Sequence, residues 1–188
     1  MKQLMTIALL FATLTASAQD VTSEYVGGML ETKVVEQYEG VDAQELYMRA
    51  LEVLSDWSGT QSQSRVNIDV QDKEQGLVVY KGQLFVGYHK FNIMAGWNVL
   101  ADFSLKIRLK DGKAQLAMTV PSTTFRWSNE QSLVKETVMM SELVPEFKHK
   151  GSYKVKKAAT TFVSQIPGLC ERTVKELAAR MHKNREDF

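Results

Sequence analysis

The side chains that carry acid–base or metal chemistry are few in this sequence and far apart. Its three histidines, His89, His149 and His182, do not have the four-residue helical spacing of a zinc motif. Asp69 and Asp72 are close together, but they flank a turn, where solvated carboxylates are far more common than an acid–base pair. The sequence therefore predicts no metal, no cofactor and no catalytic residue, although a metal site built from distant segments stays open.

Nucleophilic and phosphate-binding motifs are equally scarce. Cys170 is the only cysteine, which excludes an intramolecular disulfide, and we interpret it as a small buried apolar side chain on a helix. The sequence contains neither a glycine-rich phosphate loop nor the G-x-S-x-G turn of a serine hydrolase. These observations favour a non-catalytic protein over an enzyme.

Aromatic residues concentrate in the middle of the chain. Most of them are expected in the hydrophobic core, but tryptophans next to loops often line a pocket. We predict that a small apolar ligand, lipid or peptide is held between a sheet and the C-terminal helix. The residues predicted to line this site are Tyr80, Phe85, Trp97 and Trp127.

A run of lysines without an acid precedes the end of the chain. It consists of Lys148, Lys150, Lys154, Lys156 and Lys157. The simpler interpretation is the solvated start of a helix. The alternative is a contact surface for anionic lipid head groups or acidic glycans.

The first eighteen residues have the features of a secretory signal peptide. Lys2 gives a positive start, residues 4–14 form an apolar run, and the small residues 16–18 form a cleavage site. A buried N-terminal helix is the alternative interpretation. We expect residues 1–18 to be removed and the mature chain, residues 19–188, to be periplasmic or secreted without a transmembrane segment.

The charges of the mature chain balance. Removing residues 1–18 takes away one of 23 basic residues and none of the 22 acidic ones. Residues 146–188 then carry a net charge of +5 and residues 19–145 a net charge of −5, so the two parts should attract each other. Nucleic-acid-binding proteins usually have a net basic excess, so we do not expect nucleic acid as a partner.

Apolar spacing predicts a strand, a helix and a hairpin in the first half of the chain. Residues 30–39 mix β-branched and charged residues, as strands do. Asp42 and Glu45 fit a capping box, and apolar residues at three- and four-residue steps extend a helix to Trp57. Residues 66–71 and 77–86 alternate between apolar and polar, which is typical of two half-buried strands.

The clearest local prediction is a hairpin about Asp111-Gly112. This dipeptide favours a two-residue turn with positive φ, and apolar residues alternate on both sides of it. Three apolar cross-strand pairs are expected on one face: Ile107 with Leu116, Leu105 with Met118, and Phe103 with Val120. Pro121 is expected to weaken the second strand or to place it on a sheet edge.

The last third of the chain predicts a long connection and a broken helix. Residues 127–151 have no clear period, and we expect a lid or a mobile loop there, with a short helix within residues 133–143. An apolar stripe predicts a helix over residues 153–183. Pro167-Gly168 should kink this helix or split it, because proline removes a helical donor.

Together these elements predict one α+β domain over residues 19–188, in the order β-α-β-β-β-β-α. About five strands form an antiparallel sheet that helices cover on one face. We find no internal repeat and no low-complexity tract that would suggest a different organisation.

Several segments resemble a known family. The signal peptide, the helix from Leu46-Tyr47-Met48-Arg49-Ala50 to Trp57, and the strands around Glu74-Gln75-Gly76-Leu77 and Lys81-Gly82 are similar to exported bacterial domains of unknown function. That family is described as having a TATA-binding-protein-like fold and occurs mostly in Gram-negative gut-type bacteria. The resemblance covers about residues 30–126 and the final helix. It implies the strand and helix order given above and no catalytic residue, and shared fold does not transfer DNA binding.

The sequence supports three functional hypotheses. The first is an exported, non-catalytic module that binds a small apolar ligand, with residues 127–151 as a lid. The second is an envelope or secreted hydrolase, which rests on the predicted compartment alone. The third is an interaction subunit that contacts an envelope protein.

Overall fold

A computed structural model describes residues 21–60, 66–90, 96–127, 135–143, 158–159 and 161–182. Its strands are β1 (Thr22–Val26), β2 (Met29–Gln37), β3 (Val66–Asp72), β4 (Leu77–Lys90), β5 (Gly96–Lys110), β6 (Lys113–Trp127) and β7 (Lys135–Met139). Its helices are α1 (Ala43–Thr60), α2 (Met140–Leu143) and α3 (Ile166–Arg180), with a 3-10 turn at Val163–Gln165.

The strands form one antiparallel sheet in the order β1-β2-β6-β5-β4-β3, and β7 pairs with β6 beyond the end of β2. The predicted α+β class and antiparallel sheet are confirmed, but the sheet has seven strands rather than about five. The two additional strands, β1 and β7, have five residues each and are largely exposed. Because they bury no complete face, their sequences lack the apolar alternation that identifies a strand.

The helices lie on one face of this sheet, as predicted. On β5, Phe103, Leu105 and Ile107 are at most 4% exposed and belong to the core, whereas the residues between them are polar. Helix α1 packs on β5, and α3 packs on β2 and β6. No described helix combines the length and the apolar character needed to span a bilayer.

The hairpin about Asp111-Gly112 is confirmed. Lys110 pairs with Lys113, and Gly112 has a φ of +67°. Two of the three predicted cross-strand pairs are present, Ile107 with Leu116 and Leu105 with Met118. The predicted pair of Phe103 with Val120 was wrong, because the register shifts between Asp102 and Ser104.

Pro121 lies at this register shift, inside a central strand. Strand β6 has β5 on one side and β2 and β7 on the other, so of the two expectations for Pro121 the edge position was wrong. Pairing moves from Ser104–Thr119 to Asp102–Ser122, which leaves one additional residue on β6. A bulge takes a residue out of the hydrogen-bonded ladder, so the missing N–H of proline costs little here.

Side chains from two elements cap the N-terminus of α1. The Glu45 backbone N–H donates to Asp42 Oδ1 at 2.7 Å, as the predicted capping box requires. The Glu45 carboxylate accepts a hydrogen bond from Arg49 Nε at 3.0 Å rather than reaching back to Asp42, so the second half of the predicted capping box is absent. Asp111, in the distant hairpin turn, accepts a second bond from the Ala43 N–H at 2.8 Å. This long-range cap was missed by the sequence analysis.

The C-terminal helix is split near Pro167, as predicted. The 3-10 turn precedes α3, and Pro167 occupies the first turn of α3, where its missing N–H has no intrahelical partner to lose. The predicted connection at residues 127–151 contains β7 and α2. The remaining parts of that connection and the start of the predicted C-terminal helix lie outside the described residues.

We predict that Gly76→Ala destabilises the protein by about 3 kcal/mol, because a side chain is strained at positive φ and clashes with backbone. Gly76 has a φ of +59°, and a Cβ there would lie 2.4 Å from the Leu109 carbonyl oxygen. Gly40 has a φ of +75° with nothing near its Cβ position, so Gly40→Ala should cost only about 1 kcal/mol. Urea unfolding measures both values, and equal costs would contradict the packing argument.

Candidate functional site

Aromatic side chains gather where the three longest strands end. Trp97 on β5 pairs across the sheet with His89 on β4 and Trp127 on β6. The two tryptophan rings contact each other edge to face, with centroids 5.0 Å apart. Phe162, from the helical residues before the 3-10 turn, lies edge-on to His89 at 6.2 Å. We call these four residues, His89, Trp97, Trp127 and Phe162, the aromatic cluster.

The bulge at Pro121 brings the two tryptophans together. From the hairpin turn to Ser104, the strands pair in one register, with Leu105 opposite Met118. If that register continued, Trp97 would pair with Arg126, and Trp127 would lie on the other face of the sheet. The additional residue on β6 shifts the pairing by one and places Trp127 opposite Trp97.

A glycine makes room for Phe162. A Cβ at Gly87 would lie 2.3 Å from Cε1 of the Phe162 ring, far inside van der Waals contact. The ring therefore occupies the space that any other residue at position 87 would need. This close approach brings the C-terminal helical residues onto the sheet beside Trp97, in the region where the ligand site was predicted.

The Trp97 indole lacks a hydrogen bond. Trp97 is only 4% exposed, and its Nε1 atom is buried with no acceptor within hydrogen-bond distance in the described part of the chain. The Nε2 atom of His89 is buried in the same cluster. Most buried polar groups in folded proteins have a partner, so an orphaned donor at a strand end marks a position where a ligand or water can bind.

The structure does not bring all four predicted ligand-site residues together. Tyr80 lies in the core beside Trp57 and Phe103, and burial raises the pKa of its hydroxyl. Phe103, which Tyr80 contacts, is six residues from Trp97 along β5, a separation of about 20 Å. Tyr80 is therefore distant from Trp97. Phe85 pairs with Leu100, outside the main core cluster and on the opposite sheet face from Trp97. Ligand binding by these residues stays a prediction.

The five lysines predicted to contact an anionic surface, residues 148–157, lie outside the described residues. His89 and Phe162, by contrast, belong to the aromatic cluster and were missed by the sequence analysis. Phe162 is far from the other three residues along the chain, so no local pattern in the sequence indicates that they meet. The position of His89 opposite Trp97 depends on a second register shift, between Phe85 and Gly87.

A polar network holds the sheet together on the face opposite the helices. Asp102 accepts hydrogen bonds from Gln83 Nε2 at 2.5 Å and from the Ser122 and Thr124 hydroxyls at 2.8 Å each. Arg126 in turn donates to Gln83 at 3.3 Å. The network joins β4, β5 and β6 just beyond the bulge, so we assign Asp102 a structural role.

Two further buried ionisable groups, Cys170 and Tyr38, lie in the hydrophobic core. Cys170 is fully buried, and desolvation, with a smaller contribution from Glu171, raises the pKa of its thiol to about 12. This burial confirms its interpretation as an apolar helix residue. Burial also raises the pKa of Tyr38, whose hydroxyl donates to the Ala178 carbonyl at 2.9 Å. Among the described residues, no group of three or more potential ligands could hold a metal ion.

The fold is shared with two crystal structures of bacterial proteins. A TBP-like protein from Parabacteroides distasonis ATCC 8503 is 9% identical, with a TM-score of 0.61 over 86% of this chain and 98% of that one. A DUF4468 family protein from Bacteroides ovatus ATCC 8483 is 11% identical, with a TM-score of 0.61 over 91% and 93% of the two chains. At these identities the similarity shows the fold alone. No curated protein matches the sequence.

A family match covers about half of the sequence. Residues 32–123, from β2 to the middle of β6, match the domain of unknown function DUF4468 with a TBP-like fold. This match agrees with the resemblance found in the sequence and with the antiparallel sheet described above. The match therefore assigns residues 32–123 of the chain to the DUF4468 family of TBP-like domains.

Proposed function

We propose that this domain is an exported, non-catalytic module that binds a small, largely apolar molecule, such as a lipid or a peptide, at the aromatic cluster. The observation that carries the proposal is the buried Trp97 indole N–H, for which the described residues supply no acceptor. The cluster lies between the sheet and the C-terminal helical residues, because Phe162 packs directly over Gly87.

The energetics of the indole favour a ligand with one accepting oxygen. A buried N–H without a partner costs about 1–3 kcal/mol of folding free energy. A ligand carbonyl or carboxylate oxygen can accept this hydrogen bond and recover that cost on binding. An indole N–H only donates a hydrogen bond and does not ionise at neutral pH, so its role fits binding better than acid–base catalysis.

The surroundings of the indole favour an apolar ligand body. The rings of Trp97 and Trp127 meet at 73°, and the ring of Phe162 lies near them beyond His89. Burial of apolar ligand surface against such rings contributes about 25 cal/mol per Å². One directional polar contact in an apolar setting is the usual composition of small-molecule sites.

The other two hypotheses, a secreted hydrolase and an interaction subunit, require different structural features. A secreted hydrolase would need a pair of titratable groups with shifted pKa values in a shared pocket. An interaction subunit would bind an envelope protein through an exposed apolar surface. The anionic-surface role of the lysines at residues 148–157 also stays a prediction.

We predict that Trp97→Phe removes most of the bound ligand, because it deletes the N–H and keeps an aromatic ring. Native mass spectrometry of the mature protein, recovered after export from its own cells, should show a ligand mass on the wild type. Loss of one hydrogen bond of about 1.4 kcal/mol corresponds to roughly tenfold weaker binding.

Trp57→Phe is the matched control, since Trp57 is 3% exposed and packs in the core against Tyr80 and Phe103. This variant should keep the ligand mass of the wild type. A wild-type protein without any bound mass, or equal ligand retention by Trp97→Phe, would reject the binding proposal.

Export is tested separately through the leader. We predict that the exported protein begins at Gln19, because residues 16–18 form a cleavage site. Leu9→Arg interrupts the apolar run and should leave an uncut precursor in the cytoplasm. Intact-mass measurement of the cell fractions checks both results, and an uncut wild-type chain in the soluble fraction would contradict the assignment.

A further inference from the structure

A pocket lies on the sheet face opposite the helices. Its volume is about 260 Å³, and its lining residues are Glu31, Lys33, Lys106, Arg108, Gln115 and Ala117. Ala117 is at its centre, with Lys33 on β2 and Lys106 on β5 as its two cross-strand partners. The two lysine Cα atoms are therefore two strand spacings apart, about 10 Å. The pocket exists because a short side chain is surrounded by long ones.

Two cations in this pocket have no ion-pair partner among the described residues. Lys33 forms an ion pair with Glu31 at 2.8 Å. Lys106 and Arg108 form no ion pair with any residue that the structure describes, and their direct cross-strand neighbours are uncharged. Their charges therefore add to a local positive potential above the sheet.

The same face contains a cation in a different arrangement. Lys81, on β4, forms an ion pair with Asp69 at 2.7 Å. Nearby acids thus neutralise Lys33 and Lys81, whereas Lys106 and Arg108 have no such partner in the part of the chain that the structure describes. Opposite charges on adjacent strands stabilise a sheet, and the direct cross-strand neighbours of Lys106 and Arg108 do not supply them.

We propose that this pocket binds a phosphate group, either as the free ion or as a phosphate monoester of a small molecule. The guanidinium of Arg108 can donate two parallel hydrogen bonds to phosphate oxygens, and Lys106 contributes a point charge. A phosphate monoester carries a charge of about −1.5 to −2 at neutral pH, which matches two free cations better than a single carboxylate does. Gln115 adds an amide donor on the neighbouring strand.

This site is independent of the aromatic cluster, which lies on the other face of the sheet. The side chains to be substituted at this site are exposed or half-exposed and lie outside the core, so the variants should fold. Thermal unfolding of each variant checks this point.

Titration of the mature chain with inorganic phosphate, glycerol 3-phosphate and acetate tests the proposal by calorimetry. Lys106→Gln and Arg108→Gln should each weaken phosphate binding at least tenfold, and Lys81→Gln should leave it within twofold. Glu31→Gln should strengthen binding, because it removes the one negative charge in the pocket. Rising salt should weaken binding, as for any exposed charge pair.

The three titrated compounds distinguish binding of free phosphate from binding of a phosphate ester. Equal affinity for phosphate and glycerol 3-phosphate identifies the free ion as sufficient, and tighter binding of the ester identifies a phosphorylated molecule. No saturable phosphate binding, equal affinity for acetate, or binding that Lys106→Gln and Arg108→Gln leave unchanged would overturn the proposal.

Discussion

The antiparallel pairing of β5 with β6 determines the arrangement of every other element. The remaining strands add to its two sides, and its inward apolar residues form the centre of the core. Its turn also fixes the end of β2 and the start of α1. Gly112 accepts a hydrogen bond from the Tyr38 N–H and donates one to the Val41 carbonyl, each at 2.8 Å, while Asp111 caps the Ala43 N–H. A local two-residue signal thus positions a helix that is about 70 residues distant in sequence.

Most of the fold could be predicted where the local pattern and the final burial agree. Alternation around Asp111-Gly112 gave the hairpin register, and Pro167 gave the break before α3. Strands β1 and β7 could not be predicted in the same way, because their residues acquire partners only through strands already in place. The bulge at Pro121 depends on neighbours on both sides of β6, so only a tertiary arrangement reveals it.

The same limit applies to the candidate site. Trp97 and Trp127 were selected as aromatic residues near loops, and they do meet, but their contact depends on that bulge. Tyr80 was selected on the same grounds and is a core residue, since its strand position lies under α1. Residue type therefore identified candidates, and strand register decided between them.

One additional residue on β6 has a consequence for how such domains diversify. The pairing between the turn and Ser104 is independent of it, so the core near the turn would survive its deletion. Beyond Ser122 the pairing would also be kept, because removal of the bulged residue makes the ladder continuous and leaves Trp127 opposite Trp97. Gain or loss of a single codon at this point would therefore alter the local bend of β6 in related genes, while both faces of the sheet keep their side chains.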